Sequence, residues 1–230
     1  MRMYSGRSGA KKTIGFFGDS FCAHPGRSNW LGKIAHHLDA RIVHAGISGS
    51  SYWTTIMDYV DNFEDYRNLD YTIFCWTDPH RIYHPRGDIT GAGSLSKNDT
   101  IHKSARMYFE NLRSFRKEQM EFTAAAHWFD DRYLSRTAGR IIHLWSFGNP
   151  RKESWRDAEL DDIEFLHAWK HGTEVRTPLY YISVRTDRWR QKFDGTLLND
   201  IFHFTRNHMG PEGDEWVLSL LKDVIAQEKH

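Results

Sequence analysis

A serine near the start of the chain and a histidine near its end are the residue types that could do chemistry together. Ser20 follows an apolar run and the dipeptide Gly18-Asp19, and His208 precedes the last apolar segment. A serine hydroxyl becomes a nucleophile when an imidazole can remove its proton. Gly18 permits a sharp turn at the end of a buried strand. Two interpretations of this turn are open: catalysis through Ser20, or capping of the next helix by Asp19 or Ser20.

The segments that must position these residues alternate between strand and helix patterns. Predicted strands are 14–17, 40–45, 70–76, 140–147 and 179–184, and predicted helices are 28–38, 52–63, one or two within 101–135, a short one at 161–169, and 211–226. This alternation is typical of a parallel sheet with helices on both faces. We therefore predict an α/β fold with three α/β/α layers and a flavodoxin-like sheet of five parallel strands. We expect one domain over 13–230, with a helical insertion at about 84–138, after a disordered arm at 1–12.

Candidate reactive residues follow several of the predicted strands. In open α/β sheets, ligands bind in the crevice at the carboxyl ends of the strands. Ser20 follows the first strand, Gly49 lies in the loop after the second, and Thr77 and Asp78 follow the third. His208 lies in the segment before the last helix. The sequence therefore predicts that these residues meet at one edge of the sheet.

The order of these segments resembles the SGNH, or GDSL-type, hydrolase family over most of the chain, roughly Thr13 to Ile225. Gly18-Asp19-Ser20 matches the block that carries the family's nucleophilic serine. Ile47-Ser48-Gly49 matches the block whose glycine N–H binds the oxyanion. Trp76-Thr77-Asp78 lies where the Gly-x-Asn-Asp block belongs, and His208 where the catalytic histidine belongs. The resemblance implies a serine esterase that works through an acyl-enzyme on Ser20.

Two positions depart from the family's pattern. Thr77 stands where the family has its oxyanion-binding asparagine, and Thr205 stands where it has the triad aspartate, three residues before the histidine. A threonine hydroxyl donates one hydrogen bond, so Thr77 is a candidate oxyanion donor beside the N–H groups of Ser20 and Gly49. Asp78 and Arg81, in the same segment, are candidate substrate-binding residues. Arg81 could supply positive charge in place of the missing asparagine.

The acid and base of the site have more than one candidate. Asp200 could complete a triad with His208 if the intervening loop folds back, and a dyad held by a backbone carbonyl is the alternative. Asp200-Ile201-Phe202-His203 keeps the Asp-x-x-His spacing, so His203 is a second candidate base. His208 is preferred because Met209-Gly210-Pro211 is typical of the start of a helix, as expected after the family histidine.

Other reactive side chains have a chemical and a structural interpretation. Cys22 could be a thiol nucleophile, but a small buried residue beside Cys75 is the favoured interpretation. Asp78, His80 and His84 cluster after the third strand, where a metal could bind. Solvated loop histidines are the favoured interpretation, and we predict no metal and no other cofactor.

The composition excludes several classes of partner. The formal net charge is +1 with histidine neutral, so the chain is not a generic polyanion binder, and no nucleic-acid partner is expected. We interpret the cationic stretch 185–192 as a solvated helix face. With only two cysteines, no disulfide framework is expected. Neither a secretory signal nor a run of transmembrane length occurs, so we expect no membrane partner.

The leading functional prediction is hydrolysis of a small ester, with an O-acetylated carbohydrate as the favoured substrate. Trp76-Thr77-Asp78 and Asn207-His208-Met209 also resemble uncharacterised SGNH-like proteins of marine bacteriophages, which implies a cytoplasmic or virion-associated protein. Two alternatives remain. One is a binding or structural protein with weak or no catalysis, motivated by Thr77 and Thr205. The other is an acyltransferase that uses the same serine.

Overall fold

A five-stranded sheet forms the middle of the computed structural model, which describes residues 12–90, 97–146, 169–175, 179 and 210–227. The strands are β1 (Lys12–Gly18), β2 (Ala40–His44), β3 (Tyr71–Trp76), β4 (Arg140–Trp145) and β5 (Thr173–Val175). They lie in the order β2-β1-β3-β4-β5, and every neighbouring pair is parallel. This is the flavodoxin-like strand order, so the predicted fold class is confirmed.

The helices begin close to where the sequence places them. They are α1 (Trp30–His37), α2 (Tyr52–Asp61), α3 (Phe63–Tyr66), α4 (Thr100–Asn111), α5 (Phe115–Arg132) and α6 (Pro211–Gln227), with short 3-10 turns at Ser20–Cys22 and Leu134–Arg136. Four begin at a polar residue whose side chain accepts a hydrogen bond from a first-turn N–H, namely Asn29, Ser51, Asp99 and Ser114. Two of these helices, α4 and α5, lie in the described part of the predicted insertion at 84–138. None of the helices in the described ranges is long and apolar enough to cross a membrane.

Alternate residues of the strands pack into two cores, one on each face of the sheet. On one face, Ile14, Phe16, Ile73 and Cys75 pack with apolar residues of α1 and α6. On the other, Phe17, Phe74 and Trp76 pack with apolar residues of α2, α3 and α5. The period of two in the strands sends neighbouring side chains to opposite faces, so both faces need a helical cover.

The fifth strand is not the one predicted. It comprises Thr173–Val175, which pairs with Ile142–Leu144 of β4, whereas Leu179, the first residue of the predicted strand, is helical. Residues 180–184 lie outside the described residues, as does the predicted short helix at 161–169 apart from Trp169. The observed strand has one buried apolar side chain, Val175, so its sequence carries no recognisable alternation.

Candidate active site

A sharp turn holds Ser20 at the carboxyl end of β1. Gly18 has φ +147°, and a Cβ at this position would lie 2.2 Å from the Cys75 carbonyl oxygen, so only glycine fits. Ser20 begins the 3-10 turn and is partly exposed, while Asp19 and Phe21 on either side of it are buried. The turn therefore leaves the serine at the edge where ligands bind to sheets of this type.

The Asp19 carboxylate fixes this turn from inside the protein. Its Oδ1 accepts hydrogen bonds from the Phe21 N–H (3.1 Å) and from the Ser146 hydroxyl (2.8 Å) at the end of β4. Burial raises the pKa of Asp19, while the Arg81 charge and these two hydrogen bonds act in the opposite direction. The capping interpretation is confirmed for Asp19, whose side chain caps the 3-10 turn that begins at Ser20.

The loop after β2 is attached to the same turn. The Gly18 carbonyl oxygen accepts from the Ile47 N–H (2.8 Å) and from the Ser50 hydroxyl (2.9 Å). Between these two contacts, Gly49 has φ +82°, and an added Cβ would meet nothing within 4 Å. Backbone conformation alone therefore requires glycine here. Among the described residues, the Gly49 N–H donates to no acceptor.

The third segment places Thr77 beside Asp19. Thr77 directly follows β3 and is only 1 % exposed, and within the described ranges its hydroxyl oxygen is buried without a hydrogen-bond partner. The hydroxyl faces the Asp19 carboxyl, and its O–H dipole lowers the pKa of that carboxyl. A buried hydroxyl without a partner is costly, so an acceptor supplied by a ligand would stabilise it.

Asp78 and Arg81, the predicted substrate-binding residues, both contact protein groups. Asp78 Oδ1 accepts from the His80 N–H at 2.9 Å and lies 3.3 Å from His80 Nε2. The Arg81 side chain is 9 % exposed; its Nη1 donates to the Ser50 carbonyl (2.8 Å) and its Nη2 lies 3.5 Å from Asp19 Oδ2. Arg81 thus links the turn of Ser20 to the loop of Gly49.

The insertion joins this edge through a contact that sequence reasoning missed. Glu118 of α5 is buried and hydrogen-bonds His80 Nδ1. It also accepts from the Tyr108 hydroxyl (3.3 Å) and from Arg113 Nε (3.4 Å). His80 and Glu118 are 38 positions apart, and no motif relates them, so no sequence signal could have paired them.

The predicted base and its partners, His208, His203, Asp200 and Thr205, lie outside the described residues. The helix that follows them begins at Pro211, as predicted from the residues after His208. Asp214 in its first turn is buried and accepts from the Trp30 N–H at 3.0 Å, so this carboxylate stabilises the start of α1.

The two cysteines are core residues. Cys22 and Cys75 are both buried free thiols in the core beneath α1 and α6. Burial raises the pKa of Cys75, and the neighbouring Cys22 and Asp19 raise it further. This confirms the structural interpretation of Cys22. Among the described residues, no group of three or more His, Cys, Asp or Glu side chains could hold a metal ion.

A buried histidine, His143 of β4, contacts the end of β3 in the core that packs against α2, α3 and α5. His143 Nδ1 accepts from Trp76 Nε1–H (3.0 Å), and its Nε2–H donates to the His171 carbonyl (2.9 Å). The ring stacks on Trp169 at 4.4 Å. These partners require the neutral tautomer, and burial lowers the pKa of His143 to about 4.

We expect His143 to make the fold sensitive to mild acid. The unfolded chain takes up a proton near pH 6.5, but folded His143 does so only near its pKa of about 4, so stability falls as the pH drops between these values. The difference corresponds to about 3 kcal/mol. Urea unfolding at pH 7 and pH 4.5 should show a smaller acid loss for His143→Gln than for the wild type. The exposed His36→Gln is the matched control, and an equal acid loss in all three proteins would contradict this account.

Comparison with known proteins shows that the fold is similar to those of several solved structures. No protein-family model and no curated protein matches the chain. Among solved structures, a catalytic mutant of Axe2, an acetylxylan esterase from Geobacillus stearothermophilus, is 15% identical with a TM-score of 0.53, covering 95% of each chain. The psychrotrophic esterase EstA from Pseudoalteromonas sp., inhibited by monoethylphosphonate, is 12% identical with a TM-score of 0.50, covering 94% of this chain and 98% of its own.

LAE5, an α/β hydrolase enzyme from the metagenome of Lake Arreo, Spain, is 13% identical with a TM-score of 0.50, covering 94% of this chain and 95% of its own. The similarity to these three proteins extends over nearly the whole length of each chain. At this level of identity the chain shares their fold.

Proposed function

We propose that this protein is a serine ester hydrolase of the SGNH type, with Ser20 as its nucleophile. One observation carries the proposal: the Gly18 carbonyl oxygen accepts from Ile47 and Ser50, so the turn of Ser20 and the loop of Gly49 are joined. A nucleophile and an oxyanion donor must be held in fixed relative positions for acyl transfer. The fold shared with two esterases supports the same conclusion.

In the proposed mechanism, Ser20 Oγ attacks the ester carbonyl carbon while His208 takes its proton. The negative charge on the carbonyl oxygen is stabilised by the N–H groups of Ser20 and Gly49 and by the Thr77 hydroxyl. His208 then gives its proton to the departing alcohol, which leaves an acyl group on Ser20. Water, activated by His208, releases the acid and regenerates the serine. Asp200 or a backbone carbonyl would orient the imidazole, and His203 is the alternative base.

The proposed substrate is a small ester, with an acetylated carbohydrate as the first class to screen. This choice rests on the aromatic-rich composition of the chain and on the fold shared with an acetylxylan esterase. The resemblance to phage-encoded proteins, with the cytoplasmic or virion location that it implies, stays a prediction.

Rapid mixing with p-nitrophenyl acetate tests the proposed function. An acyl-enzyme that forms faster than it hydrolyses releases a burst of nitrophenolate before the steady state. We expect a burst that approaches one equivalent per chain and an acetylated protein in acid-quenched samples. A folded protein with neither turnover nor acetylation would contradict the proposal and favour the binding-protein alternative.

A further inference from the structure

Three chain segments of the candidate site meet at one guanidinium group. Arg81 lies in the segment after β3, its Nη1 donates to the Ser50 carbonyl after β2, and its Nη2 lies 3.5 Å from Asp19 Oδ2 after β1. Ser50 directly follows Gly49, and Asp19 directly precedes Ser20. A single side chain therefore spans the two segments that carry the proposed oxyanion donors and the nucleophile.

The geometry of these two contacts suits arginine better than lysine. A guanidinium is a planar fork that can direct separate N–H groups to two acceptors, whereas a lysine ammonium is a compact point charge. The Arg81 side chain is 9 % exposed and the Asp19 side chain is fully buried, so their attraction is poorly screened. Arg81 also offsets, in part, the cost of burying the Asp19 charge.

The segment that carries Arg81 also contacts the predicted insertion, through the residue next to Arg81. This residue, His80, is hydrogen-bonded through Nδ1 to Glu118 of α5, and Asp78 lies 3.3 Å from the other ring nitrogen. Adjacent residues of one segment thus anchor it on two sides: His80 to the insertion, and Arg81 to the first two segments of the site.

We propose that Arg81 is a positioning residue for the oxyanion site, which sets the loop of Gly49 against the turn of Ser20. The proposal rests on the proposed function. A merely structural role would require only a positive charge beside Asp19. Positioning requires in addition the hydrogen bond to Ser50, because that contact fixes the loop next to Gly49.

Two substitutions separate these roles. Arg81→Lys keeps the charge near Asp19 but cannot direct a fork to both acceptors, so the melting temperature should stay within a few degrees while kcat falls about ten-fold or more. The single variant Arg81→Met leaves the Asp19 charge buried without its counter-ion, so its melting temperature should fall. The double variant Asp19→Asn/Arg81→Met removes both charges and should recover that melting temperature. Its kcat should stay about a hundred-fold below that of the wild type. KM should change little in each, because the contacts act on the transition state.

The exposed Arg86→Met, in the same loop, is the matched control and should keep the wild-type kcat. All variants are assayed with p-nitrophenyl acetate, and folding is checked by circular dichroism. Wild-type kcat in folded Arg81→Lys, or recovery of kcat in the double variant, would overturn the positioning role and leave Arg81 as a counter-ion. Failure of the proposed function is distinct, because wild-type protein would then show no acetylated intermediate.

Discussion

Replacing Ser20 with alanine should lower kcat/KM for p-nitrophenyl acetate by roughly a thousand-fold or more. The substitution removes only the hydroxyl from a partly exposed residue, so the turn held by Gly18 and Asp19 should persist. The expected loss is therefore chemical, and the melting temperature should stay close to that of the wild type. Steady-state hydrolysis and thermal unfolding of the same preparations measure both quantities.

The matched control is Ser48→Ala. Ser48 is an exposed serine in the loop of Gly49, and its Oγ lies 3.0 Å from His24 Nε2, so Ser48 and His24 form a Ser–His pair. We expect this variant to retain kcat/KM within about two-fold, because typical surface substitutions have small effects. Loss of activity in Ser48→Ala with retention in Ser20→Ala would assign the nucleophile to Ser48.

The Thr77→Val variant should have a lower kcat than the wild type and an undiminished free energy of unfolding. If the Thr77 hydroxyl donates to the oxyanion, its removal should lower kcat by about a hundred- to a thousand-fold. Within the described residues this hydroxyl is buried without a partner, and such a group costs about 1–3 kcal/mol. Valine has nearly the same shape and no hydroxyl, so the free energy of unfolding should not fall. Urea unfolding together with steady-state kinetics measures the two effects.

The conservative Thr77→Ser keeps a hydroxyl and should keep most of the activity. The opposite pattern for Thr77→Val, with reduced stability and unchanged kcat, would mean that the hydroxyl serves Asp19. In that case, the two N–H groups of Ser20 and Gly49 would be the only oxyanion donors in the proposed mechanism.

The elements that carry strong local signals could be predicted from the sequence. The short, continuous apolar runs of β1, β3 and β4, which alternate along the chain with capped helices, indicate a parallel sheet without tertiary information. Gly18 was recognisable as a turn residue because positive φ values leave few alternatives to glycine. Gly49 was singled out by the resemblance of Ile47-Ser48-Gly49 to a family block, and its φ is also positive. Capping by Asp19 or Ser20 was one of two interpretations left open, and the structure assigns it to Asp19, a preferred residue type before a helical turn.

The remaining features depend on contacts between distant segments. The fifth strand has three residues and one buried side chain, too few to show a period of two. Arg81 was predicted to bind substrate, but its contacts to Asp19 and Ser50 could be known only once three strands are placed side by side. The hydrogen bond between His80 and Glu118 likewise follows from how the insertion packs on the sheet.

The most direct test of the central claim is labelling with a fluorophosphonate probe, read by intact mass. Such probes react with a serine whose hydroxyl is activated by a base. We predict one adduct on the wild type, none on Ser20→Ala, strongly reduced labelling of His208→Ala, and normal labelling of His203→Ala. Loss of labelling in His203→Ala instead of His208→Ala would move the role of base to His203. No adduct on folded wild type, or an adduct that persists in Ser20→Ala, would contradict the assignment of Ser20 as the nucleophile.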